Sequence, residues 1–181
     1  MSQARLCYNQ LALADTPNAA QWARRQAVHL LRRWQVKADV IEVARLLVSE
    51  LITNAVRHPH ANDDVSPYSS RSSVRSVVLR LLMEGDSLFL LVEDGDLRPP
   101  MLKAVGADAE SGRGVFLVDA LSANWGYDYP ADSTGKIVWA QLSLAGESAY
   151  LPGNAGADPE TEQKLAPPLV IARTLAGLRQ L

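Results

Sequence analysis

The chain has 181 residues, with 18 Lys+Arg against 20 Asp+Glu and a formal net charge of −2; this suits one domain and excludes a global field for nucleic acid or an anionic membrane. A single cysteine, Cys7, excludes an internal disulfide, and with only three histidines beside it a cysteine-rich zinc site is excluded as well. No apolar run approaches the ~20 residues of a membrane helix, and the start, MSQARLCYNQ, lacks a signal peptide's apolar core, so a cytoplasmic single-domain protein with a tail is expected.

Between Arg5 and Ala14, Leu6 and Tyr8, then Leu11 and Leu13, alternate as a strand would. Asp15-Thr16-Pro17 sets a capping side chain ahead of a proline suited to a helix's first position. Ala20, Ala23, Ala27, Leu30 and Trp34 then recur at spacings of three and four, which predicts an amphipathic helix over 17–35. Arg24, Arg25, Arg32 and Arg33 lie off that stripe; a solvated face outweighs docking of an acidic partner. A second helix is predicted from Asp39 to His58, stopped by Pro59. Residues 59–73 are polar and rich in turn formers, a loop.

Strands Ser76–Met83 and Leu88–Asp94 follow, joined by the hairpin signal Glu84-Gly85-Asp86-Ser87. A loop over Gly95–Ser111 leads to a helix, Gly114–Ser122, and to a second strand pair, Asn124–Tyr129 and Lys136–Leu144. From Ala145 to Pro168 the composition turns to Ala, Gly, Pro and Glu, a linker. The final LVIARTLAGLRQL can form a short helix, docked on the domain or engaging a partner. The order implies an α+β fold, a mixed and mostly antiparallel sheet with helices on one face. The domain would span 1–144, the linker 145–168 and the terminal helix 169–181.

Three clusters do not read as packing. On the second helix Val43 and Leu47 share a stripe with Glu50, Asn54 and Arg57, so a face that begins apolar ends in carboxylate, amide and guanidinium. A solvated helix end and a polar cavity explain that stripe equally well; in a cavity the carboxylate could take a proton and the amide oxygen could join a magnesium shell. Asp94-Gly95 closes an apolar strand, where an ordinary turn competes with an acceptor for an exocyclic amine and a glycine that admits a flat ring. Gly112-Arg113-Gly114 precedes an apolar-periodic helix, an arrangement suited to phosphate at the helix's positive end. In this order the three supply what a magnesium nucleotide requires.

The segments VARLLVSELITNAVRH, LFLLVEDGDLRPP, SGRGVFLVDALSANWG and GKIVWAQL, with AAQWARRQAVHLLRRWQV before them, span roughly 15–144. Through them the chain resembles the GHKL ATPase superfamily, and within it the small bacterial anti-sigma-factor serine/threonine kinases. The resemblance implies a Bergerat-type two-layer α/β sandwich that binds ATP and Mg2+. By position, Glu50 corresponds to the catalytic base and Asn54 to the magnesium ligand. Asn54, Arg57, Asp94, Gly95, Gly112, Arg113, Gly114 and Val115 correspond to the nucleotide-binding set, with Asp94 on the adenine amine and 112–115 on the phosphates. Residues 101–111 match the lid. The implied partners are a sigma factor and an antagonist protein phosphorylated on Ser or Thr; a homodimer is left open. The alternative is a non-catalytic, nucleotide-gated protein-binding module that regulates transcription. Two departures stand out: Asp94-Gly95-Asp96-Leu97-Arg98 replaces the usual D-x-G-x-G, and Ile137 replaces a threonine expected to support Asp94.

Overall fold

The computed structural model describes residues 6–57, 76–100, 113–130 and 135–145. Their order is β1 (Leu6–Ala14), α1 (Ala19–Arg33), α2 (Ala38–Arg57), β2 (Ser76–Glu84), β3 (Ser87–Asp94), α3 (Arg113–Leu121), β4 (Asn124–Asp128) and β5 (Lys136–Ser143). The strands form one open sheet, β1-β2-β3-β5-β4, in which every neighbouring pair is antiparallel. The fold is therefore α+β as expected, and the described sheet has no parallel pair.

Local chemistry accounts for the helix ends. α1 begins two residues after Pro17, because residues 15–18 turn on themselves: Thr16 N–H donates to Ala14 O at 2.8 Å and Ala19 N–H to Thr16 O at 2.9 Å. Asn18 is the N-cap, with no side-chain capping bond. At the other end Gln35 adopts φ 62°, Val36 N–H donates to Leu31 O and Gln35 N–H to Arg32 O, both at 3.0 Å. This is a Schellman closure made without glycine, and it frees the chain to reverse into α2. The expected loop 59–73, His58, the lid 101–111 and the segments after 145 lie outside the described residues.

The core fills the space between the helices and one sheet face. α1 contributes Ala23, Ala27 and Leu31; α2 contributes Ala44, Leu47, Val48 and Ile52. Against them lie Leu79 and Leu81 of β2, Leu88, Leu90 and Val92 of β3, and Ala140 of β5. α3 adds Val118. Because strand side chains alternate, the intervening Leu82, Phe89, Leu91, Ile137 and Trp139 gather on the opposite face. The sequence of β1 carries the same division: Cys7, Leu11 and Leu13 pack toward the helices, while Tyr8 joins the far face.

Candidate functional site

Asp94 closes β3 directly opposite Lys136, the first residue of β5. Both are buried, and Lys136 Nζ donates to Asp94 Oδ1 at 2.8 Å and to the backbone carbonyl of Asp96 at 2.9 Å. Asp96 N–H also donates to Asp94 Oδ1, at 2.8 Å. The buried Asp96 carboxylate in turn accepts Arg98 N–H at 3.0 Å and Arg98 Nε at 2.9 Å. Tyr129 Oη donates to Leu97 O at 3.0 Å, tying the segment to the residue after β4. The segment Asp94–Arg98 is thus a braced loop in which Asp96 acts as an internal acceptor.

Burial and charge oppose each other here. Desolvation raises the Asp94 carboxyl above the ordinary aspartate value, and the Lys136 bond and charge only partly offset it. Desolvation also pushes Asp96 upward, but the bonds from Arg98 and the Lys136 charge prevail and leave it lowered. Gly135 lies tight against this corner: a Cβ there would collide with the Asp94 carbonyl and sit 2.8 Å from the Gly95 Cα. Only a residue without a side chain lets β5 start so close to the end of β3.

On α2, Leu47 is buried, whereas Val43, Glu50 and Asn54 are half-buried, so the polar end of the stripe lies at the margin of the core. α2 packs on β3 and β5, the strands that carry Asp94 and Lys136, and also against α3. Arg113, Gly114 and Val115 form the first turn of α3, where backbone N–H groups lack intrahelical acceptors. α3 is held by Val118 in the core and by a 2.7 Å bond from Trp125 Nε1 to Asp119 Oδ1. α2 is thus the common neighbour of the elements bearing Asp94 and residues 113–115. Gly112 lies outside the described residues, and Arg57 is placed only as the last residue of α2.

Ile137 does not approach Asp94. It pairs with Glu93, so its side chain emerges on the far face, buried beside Leu82, Phe89, Leu91 and Trp139. The expectation that its missing hydroxyl would deprive Asp94 of a donor is corrected: Lys136, one residue earlier, occupies that place. Sequence reasoning missed Lys136, Asp96 and Gly135 as parts of the site. The available signal was a lysine opening an otherwise apolar strand after an acidic D-G-D turn. The arginine face of α1 is exposed at Arg25, Arg32 and Arg33, the solvated face expected, and half-buried only at Arg24. Arg24 Nη1 donates to Ser49 Oγ of α2 at 3.0 Å, and with Arg25, His29, Arg32 and Arg45 it lines a groove of about 420 Å3 between the helices. No group of three or more His, Cys, Asp or Glu suited to a metal occurs among the described residues. No helix among them is long and apolar enough to cross a membrane.

An open five-stranded antiparallel sheet with helices on one face and a buried acid at the end of its central strand define the class, an α+β domain of two layers among the described residues. The model of the histidine kinase-like ATPase domain matches residues 13–142, and the chain belongs to that family. Among solved structures it is similar to the RsbU and RsbW domains of Rv1364c from Mycobacterium tuberculosis, with a TM-score of 0.52 and 20% identity. The likeness covers 76% of this chain and 32% of that one, so this chain spans about a third of that structure's length, and the likeness is one of fold. No curated protein matches the sequence.

Proposed function

We propose that the chain is an ATP-binding regulatory protein that acts as an anti-sigma factor and phosphorylates an antagonist protein on Ser or Thr. The observation that carries the nucleotide reading is the state of Asp94. Its described bonds all use Oδ1, so Oδ2 remains an acceptor for the adenine amine, held in direction by Lys136 and Asp96. Gly95 gives the ring access to the backbone, and the α3 start from Gly112 to Val115, with Arg57 and Arg113, binds phosphates. Asn54 offers one amide oxygen, a hard donor of the kind magnesium takes while retaining waters, so this small donor set fits the ion. Magnesium, when bound there, supplies charge neutralisation on the phosphates.

In this reading Glu50 accepts the proton of the substrate hydroxyl, and the groove of Arg24, Arg25, Arg32 and Arg45 receives an acidic segment of the partner. Family membership, the fold likeness to an RsbW-containing structure, and the segments ELITNAVRH and GRGVFLVDALSANWG support the reading. A nucleotide-gated module without phosphotransfer is the second reading, favoured by the departure of Asp94-Gly95-Asp96-Leu97-Arg98 from D-x-G-x-G. Labelled ATP with magnesium and the antagonist protein encoded nearest the gene separates the two. For the kinase, Glu50→Ala should retain ATP affinity while phosphotransfer falls ~100-fold or more, the scale of a lost general base. Asn54→Ala should lower both. ATP-dependent partner binding with no phosphotransfer by the native chain would assign the module instead.

A further inference from the structure

The sheet face turned away from the helices is buried, yet no described helix lies on it. Leu91 is 0% exposed, Ile137 1%, Trp139 3%, Leu82 4% and Phe89 6%, with half-buried Tyr8 packed beside them. Every one of these residues belongs to a strand, whereas the buried apolar side chains of α1, α2 and α3 all join the opposite core. Neighbours within a sheet shield a side chain laterally, but its outward end stays in water unless another layer lies over it. Leu91 and Ile137 are dry at the centre of the face, which the described helices and strands do not account for.

We infer that residues 168–181, PLVIARTLAGLRQL, dock on this face and make the domain three-layered. The other uncharacterised stretches do not have the composition for it. Residues 58–75 carry only Ala61, Val65, Tyr68 and Val74 besides two prolines, 131–134 is four residues, and 101–112 hold Met101, Leu102 and Val105 among small and charged residues. Residues 1–5 hold Met1 as their one large apolar side chain, and 146–167 carry Tyr150, Leu151 and Leu165 scattered among Gly, Pro and Glu. The terminal segment instead brings Leu169, Val170, Ile171, Leu175, Leu178 and Leu181, with Ile171, Leu175 and Leu178 at the helical spacing of four and three. Its reach is ample. Leu144 N–H is bonded to Asp86 O at 2.8 Å, so the chain leaves the sheet beside the β2–β3 turn. From there some two dozen residues precede the segment, roughly 75 Å if extended, against a β3 length of roughly 27 Å. The receiving patch has a polar border, the Arg80–Glu93 ion pair with Gln10 bonded to Arg80, which fixes where an apolar stripe can lie.

The test places a thiol on the face of the full chain. In a Cys7→Ala, Phe89→Cys chain, reaction with a soluble aromatic disulfide should be slow, limited by opening of the covering layer. Adding Leu175→Asp and Leu178→Asp should speed it ~10-fold or more while circular dichroism and the thermal transition of the domain persist. Leu82→Cys serves as a second reporter should Phe89→Cys fail to fold. Equal rates with and without the aspartates would overturn the inference, as would native labelling as fast as that of the urea-unfolded chain. A rate that rises on dilution would also overturn it, by assigning the cover to a second copy of the chain.

Discussion

Lys136 and Asp94 show how a buried acid can be kept available without being freely charged. A carboxylate withdrawn from water is costly, and one cation at hydrogen-bond distance does not fully repay the loss, so the Asp94 carboxyl stays raised. If its ionised form receives the adenine amine, acidification should weaken ATP binding at a higher pH than the ~3.9 of an ordinary aspartate. The sign follows from protonation, which occupies the acceptor and proceeds more readily in the free protein than in the complex. Calorimetric titration from neutral pH downward should show that decline for the native chain and a flat, weak profile for Asp94→Asn. Lys136→Met tests the pair itself. Removing one partner strands the other, so urea unfolding at neutral pH should show a loss of about 3–5 kcal/mol. Adding Asp94→Asn should restore most of it without restoring adenine preference.

At the scale of elements, the strands carry two unrelated tasks on alternate residues. β5 holds Lys136 toward the site and Ile137 toward the far face, one rung apart. Ile137→Thr should therefore leave ATP affinity within about twofold, since a position on the far face touches none of the base-binding groups. It should instead lower stability by about 1–3 kcal/mol, the cost of burying a hydroxyl without a partner. Nucleotide titration alongside thermal melts checks both halves. The same alternation explains which elements were legible. Both long helices and both hairpins could be read from periodicity and turn residues, because those signals are local. The start of α1 was misplaced by two residues because Asp15 and Pro17 belong to a preceding turn. The face of Ile137 was not legible, because it depends on which residue of β3 stands opposite, and that register joins segments more than forty residues apart.

For the molecule as a whole, the element order sufficed to anticipate one sheet with helices against one side. It could not indicate that the other side would also be dry. The signal lay within the strands instead: Leu88 to Val92 is an unbroken apolar run, the mark of a strand buried on both faces, where a half-exposed strand would alternate. The candidate site divides similarly. Asp94 and the turn opening at Arg113 were visible as local anomalies, while Asp96, Gly135 and Lys136 acquire meaning only when two hairpins meet. That meeting has a kinetic consequence. β2–β3 and β4–β5 can each close over short connections, but the β3–β5 seam joins Asp94 to Lys136 across the whole of α3. Distant pairings pay their loop entropy before they are rewarded. The corner where Gly135 admits the Asp94 carbonyl therefore cannot exist in either hairpin alone. In the reading proposed above, base recognition requires the β3–β5 seam, so competence to hold a nucleotide cannot precede its closure.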